Sequence, residues 1–287
     1  MTTTGPILVT GATGTQGGSV LRALRARGVP VRALTRSPQG AAAEALRSLG
    51  AEVVGGDFDH PTSLRAAVNG ASGVFSVQDF WAVGEQREIA QGIAVADAAL
   101  AAGVSHLVFA SVAAAQDPTG VKHFESKGHV ERHVASIGLP YTFIQPVFFL
   151  ENLRGPNRRA RWIWRFLRRV LRGGIPLQVV AVADIGRVAA DAFADPARFA
   201  GRAIELASDS VTMQTLERAF ADAGLWRGKG VAPPMWFVRW FQAEAASNFS
   251  FYTAPGWQVD IEACHREFPG LRRLPDWIAE QTKGAER

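Results

Sequence analysis

The chain opens with Pro6-Ile7-Leu8-Val9-Thr10, followed at once by Gly11-Ala12-Thr13-Gly14-Thr15-Gln16-Gly17-Gly18-Ser19-Val20-Leu21. The first five residues read as a buried strand, and a helical apolar period begins after the glycines. Glycines at 11, 14 and 17 allow a tight turn, a close backbone approach to a pyrophosphate, and close packing of helix on strand. The helix N-terminus then offers free N–H groups to the phosphate charge. Strand, turn and helix in this order are the context that separates a dinucleotide-binding turn from an ordinary glycine turn. Gly11, Thr13, Gly14, Thr15, Gln16 and Gly17 are therefore the expected phosphate cradle.

Strand and helix signals alternate through the first two thirds of the chain. Strands are expected at Ile7–Thr10, Val31–Thr35, Glu52–Gly55, Gly73–Ser76, His106–Ala110 and Tyr141–Gln145. Helices are expected at Gln16–Arg27, Ala41–Leu49, Pro61–Asn69, Glu85–Ala102 and Lys122–Ile137. Short apolar strands between helices imply a parallel sheet covered on both faces. The expected fold class is α/β: a doubly wound Rossmann sheet with a smaller C-terminal substrate lobe. Residues 1–150 would form the sheet domain, and 176–207 would return to it. Further strands are expected in Gly173–Ala183 and Ala203–Ala207, with a helix opening at Asp184. Residues 151–175 and 208–287, where arginine, tryptophan and proline become dense, would form the lobe over the cofactor crevice.

The net charge of +5 is local. Eight arginines and no acid lie between Arg154 and Arg172, and the other 23 basic residues are outnumbered by 26 acidic ones. A basic surface for nucleic acid is therefore not expected. Val134 to Leu150 lacks charge but carries Gly138, Pro140 and Pro146, so no membrane span is expected there. A single cysteine, Cys264, and a start without a signal-peptide pattern give a cytoplasmic protein as the expectation. Cys264 reads as a packed thiol.

The spacing G-x-x-G-x-x-G, with the string Thr10-Gly11-Ala12-Thr13-Gly14, resembles the extended and atypical short-chain dehydrogenase/reductases. The fuller run Gly11 to Val20 is similar to the NmrA-like branch of that superfamily, and the resemblance extends from about residue 5 to about residue 220. It implies a nicotinamide dinucleotide as cofactor. In NAD-specific folds an acid about 20 positions after the glycines holds the ribose 2′-OH. Here Arg36 follows the second strand and no acid appears until Glu44. An arginine fork suits a 2′-phosphate, so NADP(H) is expected over NAD(H), with a plain surface arginine as the alternative. Asp57 and Phe58 match the family's adenine-contacting position; Asp57 also reads as a helix cap before Pro61. Val77, Gln78, Pro146 and Phe149 are further expected cofactor contacts.

Short-chain reductases use Tyr-x-x-x-Lys, but neither Tyr141 nor Tyr252 precedes a lysine by four. The chain offers His123-Phe124-Glu125-Ser126-Lys127 instead, which is similar to the NmrA-like pattern. Periodicity puts His123, Lys127, Val130, Val134 and Ile137 on one inward stripe. A lysine there needs a polar partner, and a cofactor ribose would serve; a lysine reaching past the sheet to water is the other reading. His123 would donate a proton or merely pack. Ser111, at the end of the fifth strand, matches the position of a polar residue beside the nicotinamide. Lys127, His123 and Ser111 are the candidate catalytic residues. His129 and His133, with Glu131 between them, read as a solvated face rather than a metal site.

Phe80 and Trp81 resemble the family's aromatic loop. Pro146-Val147-Phe148-Phe149-Leu150-Glu151-Asn152 is similar to its Pro-x-x-Phe-x-Glu-Asn segment. Phe80, Trp81, Phe149 and Asn152 are the candidate substrate residues, and such an apolar crevice suits an aromatic or quinone-like ligand. Residues 158–172 form an amphipathic helix capped by Asn157, with Trp162, Ile163, Phe166, Leu167, Val170 and Leu171 on one side. Its arginines read as the solvated face of a lid; an anionic substrate, a protein partner or a membrane surface are the alternatives. Two functions stay open: an NADPH-dependent oxidoreductase acting on a small-molecule substrate, or a non-catalytic redox sensor that regulates a partner protein.

Overall fold

A computed structural model describes residues 5–232, 234, 236, 243–253 and 256–285. The elements run β1 (Ile7–Val9), α1 (Thr15–Ala26), β2 (Val31–Thr35), α2 (Ala41–Ser48), β3 (Glu52–Gly55), α3 (Pro61–Val68), β4 (Gly73–Ser76), α4 (Phe80–Val83), α5 (Glu85–Ala101), β5 (His106–Ala110), α6 (Lys122–Ser136) and β6 (Tyr141–Pro146). They continue with β7 (Phe148–Phe149), α7 (Arg158–Val170), β8 (Leu177–Val180), α8 (Val182–Ala194), α9 (Pro196–Phe199), β9 (Arg202–Leu206), β10 (Asp209–Val211) and α10 (Met213–Asp222). Three more helices follow, α11 (Ala243–Thr253), α12 (Ile261–Glu267) and α13 (Leu274–Ala285).

The main sheet is parallel, with seven strands in the order β3-β2-β1-β4-β5-β6-β9. The order reverses between β1 and β4, which is where a doubly wound sheet opens a crevice at its carboxyl edge. Strands β1, β4 and β5 are buried along their whole length, as expected for strands covered on both faces. On one face Leu8, Val74, Leu107 and Phe109 pack with Leu64 of α3, Val95 of α5 and Val130 and Val134 of α6. The other face carries α1 and α8. A Cβ at Gly186 would lie 2.4 Å from Ser19 Oγ and 2.7 Å from Ser19 O, so only glycine permits this approach. Arg27 Nη2 reaches Asp191 Oδ1 at 2.7 Å and ties the same two helices.

The chain divides into two compact units. The first comprises Met1–Gln116, His123–Gln145 and Ile185–Ile204; the second comprises Asp117–Lys122, Pro146–Asp184 and Glu205–Arg287. The second unit has its own sheet, in the order β10-β8-β7, with β8 antiparallel to β10 and parallel to β7. The strand expected within Gly173–Ala183 is this short β8. Glu151 fastens the unit internally: it accepts from Val182 N at 3.0 Å and from Trp277 Nε1 at 2.9 Å. Burial raises its carboxyl above the usual range. Cys264 is buried, and burial pushes its thiol up. Of the tryptophans beyond residue 225, Trp240 lies outside the described residues.

The arginine-rich helix departs from its expected packing. Asn157 Oδ1 caps it by accepting from Ala160 N at 2.8 Å. Ala160, Ile163, Trp164, Phe166, Leu167 and Val170 are its buried face, and Trp162 is only half-buried. Trp164 goes inside because its indole N–H finds Leu153 O at 3.1 Å, which satisfies the one polar atom that burial would strand. Nor is the arginine face simply solvated. Arg168 Nε contacts Glu217 Oε1 at 2.5 Å, and its guanidinium bonds Gly228 O and Gly230 O. Arg165 Nε donates to Lys229 O at 3.0 Å and Arg169 Nη1 to Ala232 O at 3.4 Å. Three arginines thus clamp the 228–232 segment onto α7.

Candidate functional site

The first unit gathers polar side chains at the carboxyl ends of β1, β4 and β5. Gly11 stands at φ +56°, and a Cβ there would meet Val77 Cγ1 at 2.6 Å. A Cβ at Gly17 would lie 2.4 Å from Gly11 O and 2.5 Å from Thr10 O, so glycine sets the distance of α1 from β1. At Gly14 the space is open except for Gly11 O at 3.2 Å. Gly14 begins α1 with no side-chain cap and no acid in the first turn. Thr13, Gly14 and Thr15 are exposed, while Gln16 Oε1 is buried without a hydrogen-bond partner.

Arg36 is exposed at the end of β2 and makes no ion pair or hydrogen bond among the described residues. Its neighbours differ: Arg32 pairs with Glu52 at 2.9 Å and Arg47 with Glu44 at 3.2 Å. Asp57 is half-buried and is not the cap of α3, which His60 and Pro61 begin. Its Oδ1 instead accepts from Asp59 N at 3.1 Å, closing a local turn. Phe58 is partly buried against the main core.

Parallel pairing of Ser76 with Phe109 brings Gln78 and Ser111, two residues further on, to neighbouring positions. Gln78 donates from Nε2 to Ser76 Oγ at 2.9 Å, which leaves Oε1 buried and unpartnered. Ser111 is 2% exposed, and its Oγ is likewise buried without a partner. The loop after it contains Ala114 at φ +66°, the one non-glycine residue at positive φ among the described residues. Gln116 Nε2 holds this loop by donating to Glu131 Oε2 at 2.7 Å, and Gln145 Nε2 donates to Glu131 Oε1 at 2.8 Å.

Glu131 corrects the sequence reading. It is 2% exposed, not on a solvated face. The buried side of α6 is Phe124, Ser126, Gly128, Val130, Glu131 and Val134. His123, Lys127 and Ile137 sit at its margin, half-buried. The stripe drawn from apolar spacing missed this face because Ser126 and Glu131 are polar and find partners on other segments. Lys127 shows the same effect. Its Nζ donates to Glu88 Oε1 at 2.8 Å, so a residue of α5 supplies the polar partner that burial demands. Ser126 Oγ bonds Glu88 Oε2. An acid inside the otherwise apolar period of α5 was the signal in the sequence. His133 Nε2 contacts Asp97 Oδ1 at 2.6 Å, and no group of three His, Cys, Asp or Glu among the described residues is arranged to hold a metal.

Phe80 and Trp81 lie on the single turn α4, which Asp79 Oδ1 caps by accepting from Trp81 N at 3.1 Å. Both rings pack on His123, at 5.6 Å and 5.3 Å between centroids. Trp81 remains 53% exposed, so the aromatic surface is open to a ligand. Pro146, which closes β6, belongs to the second unit, as do Phe149 in β7 and Asn152 in the turn Leu150–Leu153, both half-buried.

The glycine-built turn at the β1/β4 reversal defines a Rossmann-type, phosphate-accepting α/β protein. The NmrA-like family profile matches residues 3–231, and the chain belongs to that family. An NAD(P)H azoreductase of Xenophilus azovorans is 35% identical over 147 residues, covering 51% of this chain and 49% of the azoreductase. The chain spans about half the length of that protein and of an NmrA-like oxidoreductase of Cladobotryum sp.. The Citrobacter sp. triphenylmethane reductase complexed with NADP(H) superposes with a TM-score of 0.75 at 19% identity, covering 96% of this chain and 99% of that one. NmrA, a negative transcriptional regulator in complex with NADP, superposes with a TM-score of 0.74 at 21% identity, covering 98% and 97%. No helix among the described residues is long and apolar enough to cross a membrane.

Proposed function

We propose that this chain binds a nicotinamide dinucleotide at the carboxyl edge of its main sheet and reduces a small aromatic or quinone-like acceptor there. One observation carries the reading: Gln16 Oε1, Gln78 Oε1 and Ser111 Oγ are buried, without partners, on the three segments that meet at that edge. Buried polar atoms are rarely left unpaired, and a ligand rich in hydroxyl and amide groups would satisfy them. The open space at Gly14 and the uncapped start of α1 fit a pyrophosphate in the same place.

In this reading Gly11, Thr13, Gly14, Thr15, Gln16 and Gly17 hold the pyrophosphate, and Arg36 holds a 2′-phosphate, giving NADP(H) preference. Asp57 and Phe58 flank the adenine; Val77 and Gln78 contact the nicotinamide end; Lys127 reaches the ribose. When bound, the reduced nicotinamide supplies two electrons and a proton as hydride. Phe80, Trp81 and His123 give a flat acceptor a stacking surface. The names of the azoreductase and triphenylmethane reductase relatives support an acceptor of this kind.

The second reading is a redox sensor without turnover, and the regulator among the structural relatives favours it. NADPH oxidation with a panel of quinones, azo dyes and aromatic aldehydes separates the two. Turnover with one acceptor, falling in Lys127→Ala, is expected. Tight NADPH binding with no turnover on any acceptor would favour the sensor.

A further inference from the structure

The chain places arginine at 27 of its 31 cationic side chains and lysine at four, Lys122, Lys127, Lys229 and Lys283. Lys122, Lys229 and Lys283 are exposed. Lys127 is the covered one, with 12% of its side chain exposed, and its partner Glu88 is 1% exposed. Both carboxylate oxygens of Glu88 are taken by adjacent residues of α6, Oε1 by Lys127 Nζ and Oε2 by Ser126 Oγ. An ammonium has three donors, and this contact uses one of them. A planar guanidinium would present five in a fixed fork. A chain that otherwise uses arginine takes, here, a compact charge that a buried carboxylate cancels on the spot.

We propose that Glu88 is a specificity-determining positioning residue: it holds Lys127 Nζ as a hydrogen-bond donor while cancelling its charge, so the site favours acceptors that delocalise negative charge. The proposal rests on the reading that Lys127 faces the cofactor and acceptor. An acceptor gains two electrons and one proton as hydride from the reduced nicotinamide, and a second proton from water. Between these gains it is an anion. On an isolated ketone or aldehyde that charge sits on one oxygen and needs a proton donor or an uncompensated cation beside it. The chain has no tyrosine four residues before Lys127, and Glu88 removes the cation's net field, because an ion pair acts as a dipole whose potential falls off faster than that of a lone charge. A quinone or azo compound spreads the same charge over a conjugated system and tolerates both losses.

The first test needs no turnover. Reductive methylation of the full chain, without cofactor, is followed lysine by lysine by mass spectrometry, with Lys122, Lys229 and Lys283 as internal references. Lys127 should react at least about tenfold faster in Glu88→Gln than in the unaltered protein, because the carboxylate no longer favours the charged amine; equal rates would overturn the pairing. Adding NADP⁺ to Glu88→Gln should protect Lys127. Lack of protection would sink the reading that Lys127 faces the cofactor, and the proposal with it, while leaving the pair intact. The specificity claim is then read from kcat/KM. The ratio for an aromatic aldehyde over a quinone should rise about tenfold in Glu88→Gln, through a gain on the aldehyde. A proportional fall with both acceptors would make Glu88 a structural residue only. Should Glu88→Gln not fold, Glu88→Asp, which retracts the carboxylate, should move labelling and ratio in the same directions by less; no movement in either would refute the proposal.

Discussion

The hydroxyl of Thr10 and the backbone of Val77 hold each other from both sides: Thr10 Oγ1 accepts from Val77 N at 2.8 Å and donates to Val77 O at 3.2 Å. This contact joins the ends of β1 and β4 at the reversal of the sheet, and Thr10 is fully buried. Replacing Thr10 by valine keeps the shape and strands the Val77 N–H. An unsatisfied buried group costs about 1–3 kcal/mol. Thr10→Val should lose that much stability in urea unfolding and weaken NADPH binding, because Gly11 and Gln78 flank the two partners. Unchanged affinity together with the expected stability loss would show that the contact serves the fold alone.

In the proposed reading Arg36 carries the cofactor preference. Charge-assisted bonds to a phosphate contribute about 1.5–3 kcal/mol, so Arg36→Asp should weaken NADPH binding by about 10- to 100-fold and leave NADH much less affected. Tryptophan fluorescence titration with each cofactor measures it. Equal affinities in the unaltered protein would remove Arg36 from the site.

His106 gives the fold an acid limit. Its Nε2 lies 2.9 Å from Thr142 Oγ1, which donates its own proton to Phe199 O at 2.9 Å, so Nε2 is the donor and the ring is neutral. Nδ1 has no partner, and burial lowers the pKa to about 4. In the unfolded chain it is about 6.5. The folded value is the lower one, so this contribution is full above pH 6.5 and is lost as pH falls through 4. It amounts to about 3 kcal/mol across that window. His106→Leu should flatten the stability profile there; an unchanged slope would assign the acid sensitivity to other groups.

Most of the fold was legible because local rules and tertiary environment agree. Strands Val31–Thr35 and His106–Ala110 are short apolar runs between turn signals, and they form where such runs must. The two-residue β7 and three-residue β10 carry no period long enough to read, and they exist through pairing with β8. The glycine turn was legible because each glycine answers a steric demand inside a single strand–turn–helix unit. The face of α6 was not, because Ser126, Lys127 and Glu131 are placed by Glu88, Gln116 and Gln145, which lie on other segments. Trp162 and Trp164 have the same hydropathy, and what distinguishes the buried one, its bond to the carbonyl of Leu153 and its packing on Phe220, lies on other segments.

The arginines of α7 divide into two groups with opposite expected effects. Arg168 bonds Glu217 and two backbone carbonyls, and Arg168→Ala leaves those acceptors without their donor. It should cost about 1–3 kcal/mol. Arg158 and Arg159 are exposed in the first turn, where no acid offsets the positive end of the helix dipole. A cation there opposes the dipole, and a carboxylate complements it, by about 0.3–1 kcal/mol per residue. Arg158→Glu and Arg159→Glu should therefore each stabilise the protein, with a rise in Tm that shrinks at high salt as exposed charges are screened over about 3 Å at 1 M. Binding to anionic vesicles should be weak in the unaltered protein and vanish at physiological salt. Destabilisation by the glutamates would show that these arginines make a stabilising contact within the fold, and vesicle binding that persists at that salt and is lost in both variants would show that they face an anionic partner rather than water.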